Sequence, residues 1–438
     1  MKSLKNLMRN INPTKNVLNY LFYLFIFFLL WQTVFLLREI FIDGEKFQYA
    51  TIGIYIFEII LFTWIILNLF KIKKEIKRIT ALNILIFLFV LWSFLSILWS
   101  SDKYLSLFFS TQLVLGILLF ALIQFSNLNF KKISIIFLVS SFLQGLLGLF
   151  QFFTQSSFSN KWLGLSAHPT WQGGVSVLEN NSERWLRAYG GMHHPNILGG
   201  LLAISIILGI FLYLNFQDNK KNFWKFLILL ILPINFLALL TTFSRSAWLG
   251  FILGIILIFI YFICTKQKIL LKKLSFLFAI FITIFFIFII NYSELITPRF
   301  SAETRLEKKS LTERLSYIQE SQNIISNHPL LGVGIGNYSN YLKNSSLIKK
   351  EVWQYQPVHN TFFLIFSELG IVGFFLFMNI IFLIFQKTLN DFKENKTEKI
   401  FILSTTIILF TIMLFDHWLW TTSFGIFLFW LLLGLYRK

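Results

Sequence analysis

The sequence predicts an all-α polytopic membrane protein with about twelve transmembrane helices and a large extracytoplasmic loop carrying short helices. Three observations predict it. Of 438 residues, 56% are hydrophobic and 13% charged, with a mean hydropathy of +0.70, a composition outside the range of soluble domains. The apolar residues fall in runs of roughly twenty, the helix length that a ~30 Å hydrocarbon core takes. Lys and Arg concentrate in alternate connections, the bias that sets orientation.

The runs fall near 17–37, 49–70, 80–99, 105–125, 133–153, 195–215, 223–242, 246–264, 274–290, 359–385, 400–415 and 418–435, twelve spans in one membrane domain over residues 1–438. The first follows the basic residues Lys2, Lys5, Arg9 and Lys15 without a small-residue cleavage site, so it reads as a retained helix. With the N-terminus inside, the inner segments hold 24 Lys and Arg, including the run KIKKEIKR at 71–78; the outer ones, apart from the long loop 291–358, hold 7. Both termini are therefore expected on the cytoplasmic side. The net charge of +19 reports this topology, and no nucleic-acid partner is expected. Cys264 is the only cysteine, which excludes an intrachain disulfide and a Cys-based metal site.

On this map all six histidines (His168, His193, His194, His328, His359, His417) lie in outer connections or at outer helix ends, as do Arg187, Arg245, Arg314 and Asp416. Two outer segments are long: 154–194, ending in RWLRAYGGMHHPN, and 291–358, expected to carry the chemistry. Within the second, Ser310-Leu-Thr-Glu313 fits a capping box, and Leu315, Ile318, Ile324 and Ile325 recur at helical spacing, predicting an amphipathic helix over 311–327.

Each motif has a functional and a bland reading. Arg245, in TTFSRSAWLG, stands against the positive-inside bias and needs an anionic partner or ligand; a snorkelling head in the interface is the alternative. Around Arg187, the glycines Gly190 and Gly191 and the run His194-Pro195-Asn196 read as a tight backbone leading into the sixth helix. The run PLLGVGIGN at 329–337 lacks the strand and βαβ context of a dinucleotide fingerprint, leaving a tight turn or a phosphate-holding nest. His359 begins the tenth span with Asn360 beside it, placed either as a general base or as a polar helix-starting residue. There is no HExxH and no histidine pair at i and i+4, so no metal is expected. Asp416-His417, flanked by Trp418 and Trp420, occupies a short outer turn that also fits an aromatic belt. Glu58 and Glu368 are acids within spans.

RAYGGMHHPN (187–196), SRSAWLG (244–250), ERLSYIQES followed by HPLLGVGIGNY (313–338), VHNTFFLIFSELGIVG (358–373) and FDHWLW (415–420) together resemble the O-antigen ligase and O-antigen polymerase superfamily. The best matches cover roughly 187–420, and the twelve-span layout agrees over the whole chain. The resemblance implies metal-independent glycosyl transfer with no cofactor, outside the cytoplasmic membrane; direct attack on the anomeric carbon would invert its configuration. The donor would be a glycan on a polyprenyl (undecaprenyl) diphosphate, and the acceptor a hydroxyl on a glycan, lipid or protein. By motif it places the catalytic roles on His359 and Arg245 and diphosphate binding on Arg187, Arg245 and Arg314. His194, Asn196, Gly334, Asn337, Asn360, Asp416 and His417 are the expected supporting residues. The chemistry agrees, because a diphosphate leaving group needs guanidinium forks more than a general acid, while an acceptor hydroxyl needs a base.

Two other classes compete. A flippase for lipid-linked sugars needs paired charges near the bilayer midplane and related halves. A glycosyltransferase using monophosphate-linked sugars would place its acid in the first outer loop, where Glu39, Asp43 and Glu45 stand.

Overall fold

The computed structural model describes residues 15–75, 80–126, 128–179, 183–216, 222–301, 304–345, 350–391 and 397–436. Of the charges counted for orientation, Lys2, Lys5, Arg9, Lys77, Arg78, Lys220, Lys221, Lys393, Lys396, Arg437 and Lys438 lie outside the described residues. In chain order the helices are α1 (Lys15–Phe28), α2 (Ile56–Glu75), α3 (Ala81–Leu95), α4 (Lys103–Phe125), α5 (Phe130–Thr154), α6 (Pro195–Asn215), α7 (Asn222–Thr241) and α8 (Arg245–Cys264). They continue as α9 (Lys268–Ser301), α10 (Arg305–Asn327), α11 (Tyr338–Ser345), α12 (Thr361–Asp391), α13 (Thr397–Phe415), α14 (Trp418–Thr421) and α15 (Ser423–Tyr436). Among the described residues nine helical segments are long and apolar enough to cross a membrane, and three shorter apolar helices lie at Val17–Phe28, Ile56–Leu69 and Ser423–Leu435. Together they occupy the twelve expected positions, and the chain is an all-α multi-pass membrane protein.

Local chemistry moves some boundaries. Residues 34–37, expected to finish the first span, form β1 (Val34–Arg38), and residues 52–55, expected inside the second, form its antiparallel partner β4 (Ile52–Tyr55). Between them lies the small hairpin of β2 (Phe41–Ile42) and β3 (Glu45–Lys46). Gln32 and Thr33 are buried where α1 has ended, and the Thr33 hydroxyl donates to the Trp162 carbonyl at 2.8 Å, so this stretch is held by the first long outer loop. That loop carries a third hairpin, β5 (Val177–Glu179) with β6 (Arg184–Leu186). The amphipathic helix begins at Arg305, not 311, with Thr304 at its N-cap. Ser310 therefore sits inside α10, and the expected capping box does not form.

The centre of the bundle is α6, whose apolar window is buried in its entirety; a helix apolar on every face belongs in such a place. Pro195 occupies its first turn, and His194 caps it by accepting the Asn196 N–H through Nδ1 at 3.1 Å. The helix thus delivers Asn196 to one end of the core, with α13 alongside delivering Asp416.

The loop 328–337 is locked to α12 at a break in that helix. Gly370 has φ +63°, outside helical values, which frees carbonyls on the preceding turn. Val333 N–H donates to Ser367 O at 3.0 Å, Gly334 N–H to Glu368 O at 2.8 Å and the Trp92 indole to Leu369 O at 2.8 Å; Ile371 N–H reaches back to Pro329 O at 2.9 Å. The carbonyls of Ser367, Glu368 and Leu369 and the N–H of Ile371 are thereby matched, as a buried backbone requires. Gly332 (φ +69°) allows the close approach, since a Cβ there would stand 2.4 Å from the Glu368 carbonyl.

Candidate active site

The segment leading into α6 is held from below by two glutamines of α5. Gln151 accepts the N–H groups of Tyr189 and Gly190 at 3.0 and 2.8 Å and donates to the Gly190 carbonyl at 2.8 Å; Gln144 accepts the Gly191 N–H at 2.7 Å. This backbone places Arg187 inside the protein, 4% exposed. Its Nε donates to the Thr242 carbonyl at 2.7 Å, Nη1 to Ser176 Oγ at 2.6 Å and Nη2 to Asn196 Oδ1 at 2.9 Å. Burial and the neighbouring Arg299 hold this guanidinium well below the ordinary arginine value.

Asn196 passes the chain of hydrogen bonds on, its Nδ2 donating to Asp416 Oδ2 at 2.9 Å, while Asp416 Oδ1 accepts the His417 N–H at 2.8 Å. Burial opposes the Asp416 charge, but the His359 imidazole beside it holds its carboxyl below the usual carboxylate range. His359 brings Nδ1 to 3.7 Å from Asp416 Oδ1. That is longer than a hydrogen bond, and this buried nitrogen has no other partner. The neighbouring Asn360 caps α12, accepting the N–H groups of Phe362 and Phe363 at 2.9 and 3.0 Å. The His417 ring lies 5.1 Å from that of His359, with Nδ1 2.9 Å from Thr421 Oγ1. Burial pushes His417 and His194 down to about 3, so both are neutral spacers near pH 7.

The second half of the site is cationic. Arg245, at the start of α8, donates through Nη1 to the Arg299 carbonyl at 2.7 Å and brings Nη2 to 3.5 Å from Glu307 Oε2. Arg299 pairs with Glu307 through Nη1 and donates through Nη2 to the Phe243 carbonyl at 2.9 Å. Arg314, half-buried, lies within electrostatic reach of Asp416, Arg299 and Glu307, yet no hydrogen bond or ion pair holds it among the described residues. Glu313, beside His359, is matched by Lys309 at 3.8 Å. Four guanidinium groups (187, 245, 299, 314) thus face two further carboxylates, Glu307 and Asp416, leaving two positive charges in excess.

The structure therefore brings together Arg187, Arg245, Arg314, His194, Asn196, His359, Asn360, Asp416 and His417, which the sequence had spread over 230 positions. It does not bring Gly334 and Asn337 to them. Asn337 is buried under the α3–α4 turn, accepting from Asp102 N–H at 2.8 Å and Ser101 Oγ at 3.0 Å and donating to Ser106 Oγ at 2.8 Å. The glycine run is a tight interlocking turn whose amides at 333 and 334 are spent on α12, which removes the open-nest reading at those positions. The other histidines are apart: His168 stacks on Tyr189 at 3.9 Å, His328 Nε2 meets the Tyr341 hydroxyl at 3.0 Å, and His193 lies 3.4 Å from the Tyr55 hydroxyl.

Sequence reasoning missed Arg299, Glu307 and Glu313. Arg299 follows Pro298 in the long loop 291–358, too long for the orientation bias to single out an arginine. Glu307 gave no signal either, because it stands in the charged run Arg305-Leu-Glu-Lys-Lys309. Among the described residues, His359, Asp416 and His417 also form a cluster whose ligand atoms lie within 4.8 Å of one another. Three donors at that spacing can hold a cation, though His417 Nδ1 and both Asp416 oxygens already have partners.

Residues 230–378 match the family model described as O-antigen ligase. The resemblance read from the sequence is borne out. The matched region runs from α7 into α12 and carries Arg245, Arg299, Glu307, Arg314 and His359. A curated O-antigen polymerase from Salmonella muenchen is 27% identical to this chain over 263 residues, which is 59% of this chain. The chain spans about 60% of the length of that relative. Arg187, Asp416 and His417 fall outside the O-antigen ligase match and reach the site only through the fold.

Proposed function

We propose that the protein is a glycosyltransferase of the O-antigen ligase or polymerase type, moving a glycan from a polyprenyl diphosphate to an acceptor hydroxyl outside the cytoplasmic membrane. The observation that carries this reading is the gathering of four arginines, two charges in excess, beside an imidazole that faces a buried carboxylate. An excess of that size suits a departing diphosphate, and guanidinium forks bind phosphate oxygens without reorganising as the charge develops.

In the proposed step the acceptor oxygen attacks the anomeric carbon from the face opposite the diphosphate. A carbon–oxygen bond to the acceptor forms, the bond to the diphosphate oxygen breaks with its electron pair, and the configuration inverts. The hydroxyl proton passes to His359 Nε2. Asp416 then faces Nδ1–H, fixing the tautomer that leaves Nε2 free and stabilising the imidazolium that forms. The 3.7 Å gap is open by about 0.8 Å against an ordinary hydrogen bond, and such contacts tighten when substrate binds. Arg314, without a hydrogen-bond or ion-pair partner among the described residues, and Arg245, held by one carbonyl and one 3.5 Å charge contact, are the guanidinium groups that take the diphosphate in this reading. Arg187 supports them from beneath.

The test is mass spectrometry of products after purified protein in lipid is given a polyprenyl-diphosphate oligosaccharide, with and without candidate acceptors. A ladder of longer lipid-linked glycans supports a polymerase, and single-block transfer to a supplied acceptor supports a ligase. Intact donor moved across the bilayer without transfer would replace this reading by transport.

A further inference from the structure

Glu307 is an acid where a diphosphate site has no obvious use for one. It is 5% exposed and sits in the first turn of α10, between Arg299 and Arg245. The two pairings are unequal. Arg299 holds Glu307 Oε1 directly, is 13% exposed at its side chain and is tied by a second arm to the Phe243 carbonyl. Arg245 is also tied by one arm, to the Arg299 carbonyl at 2.7 Å, but meets Oε2 only at 3.5 Å, and its side chain is 31% exposed. Oε2 itself accepts no hydrogen bond. The Arg299 contact to the carboxylate is close and buried; the Arg245 contact is long and more exposed.

We propose that Glu307 is an internal counter-ion that engages Arg245 while the site is empty and gives it up to the diphosphate of the lipid-linked donor. Arg299 is the positioning residue: its carbonyl and its pairing with Glu307 hold Arg245 in readiness. The inference rests on the function proposed above and concerns how that site is regulated. Without an acid here, four guanidinium groups within electrostatic reach of one another would repel in the empty state. With it, a bound diphosphate lies close to a carboxylate that does not leave. That repulsion weakens binding of the product lipid and speeds its departure. The acid thus trades affinity for release, and binding of donor and product is not made as tight as four arginines would allow.

The experiment is equilibrium binding of radiolabelled undecaprenyl diphosphate to the full-length protein in lipid nanodiscs, together with steady-state turnover. Glu307→Gln keeps the shape and one hydrogen bond to Arg299 while removing the charge. It is expected to bind about threefold to thirtyfold more tightly, and to turn over more slowly at saturating donor with a lower KM. Glu307→Asp keeps the charge and the Arg299 pairing but draws back from Arg245, so it is expected to shift in the same direction; it decides the matter should the first variant fail to fold. Equal or weaker binding by both variants, beside a wild type that binds and an Arg314→Ala that binds at least tenfold less, would overturn the counter-ion role and leave the glycosyltransferase reading standing. A wild type that fails to bind the diphosphate at all would overturn both.

Discussion

His359 Nδ1 faces Asp416 Oδ1 across 3.7 Å, and Asp416 is fixed on its other sides by Asn196 and by the His417 backbone. An imidazole aimed by a buried carboxylate is the arrangement that selects one tautomer. His359→Ala is expected to remove a base worth roughly 10² to 10⁴ in rate. Asp416→Asn, with nearly the same volume, is expected to lose most of the same factor in single-turnover rate with little change in donor KM. A variant Asp416→Asn that turns over like wild type would remove His359 orientation from the mechanism.

Arg187 and Arg314 differ in a way that separates scaffold from ligand binding. Arg187 satisfies a carbonyl, a hydroxyl and an amide inside the protein. Arg187→Ala is expected to cost about 2–4 kcal/mol of stability by stranding those groups. Arg314→Ala leaves no such gap and is expected to keep its denaturation midpoint within a few degrees while losing at least about 10²-fold in turnover, the scale of one lost charge-stabilising donor. Thermal scans beside initial rates decide it, and equal destabilisation of the two variants would contradict the assignment.

The buried histidines set a sign for acid stability. His194 and His417 are held down at about 3 in the folded protein, against about 6.5 in an unfolded chain. Between those values the unfolded chain binds protons that the folded chain refuses, so stability rises with pH. The contribution is whole above about 6.5 and is lost as pH falls toward 3. The denaturation midpoint in detergent is expected to drop from pH 7 to pH 5. His194→Asn keeps a capping side chain and is expected to flatten that slope. A wild-type midpoint indifferent to pH over this range would count against neutral histidines.

Two glycines should behave differently on substitution by alanine. At Gly44, φ is +86° with nothing within 4 Å of a Cβ, so Gly44→Ala is expected to cost only the roughly 1–2 kcal/mol of a left-handed backbone. At Gly370, φ is +63° and a Cβ would stand 2.2 Å from the Leu330 carbonyl oxygen; Gly370→Ala is expected to lose folded protein outright, scored by monodisperse yield from detergent.

The cluster of His359, Asp416 and His417 invites a metal test. A base–carboxylate pair needs no cation, so turnover is expected to be unchanged after EDTA treatment and dialysis. Activity lost to the chelator and restored by one divalent ion would reassign these three residues as ligands.

How much of this was legible in sequence follows from what each signal depends on. The twelve helices were readable because runs of apolar residues answer to the solvent that surrounds them, and α6 was placed at its observed bounds. The ends of the first two spans were not, since β1 and β4 exist through pairing with each other and through the Trp162 segment more than a hundred residues away. In the site, Arg245 and His359 stood out because their charge or position broke a local expectation. Asp416 looked equally like part of an aromatic belt, and only the approach of α6, α12 and α13 makes it the partner of His359. Gly334 and Asn337 were drawn toward the site by a motif whose glycines serve the backbone instead, each at a positive φ against α12, the α3–α4 turn or Phe109.

The break at Gly370 imposes an order on biogenesis. Helix α12 is made after the loop that satisfies its open carbonyls, and Pro329–Gly334 must already be within reach when those carbonyls leave water. Lipid offers no substitute donor. The span cannot settle as an independent helix and acquire its loop later; the two have to dock as the segment is released. A substitution at Gly332 or Gly370 is therefore expected to show first as a membrane-insertion and turnover defect in the cell, before any catalyst exists to be assayed.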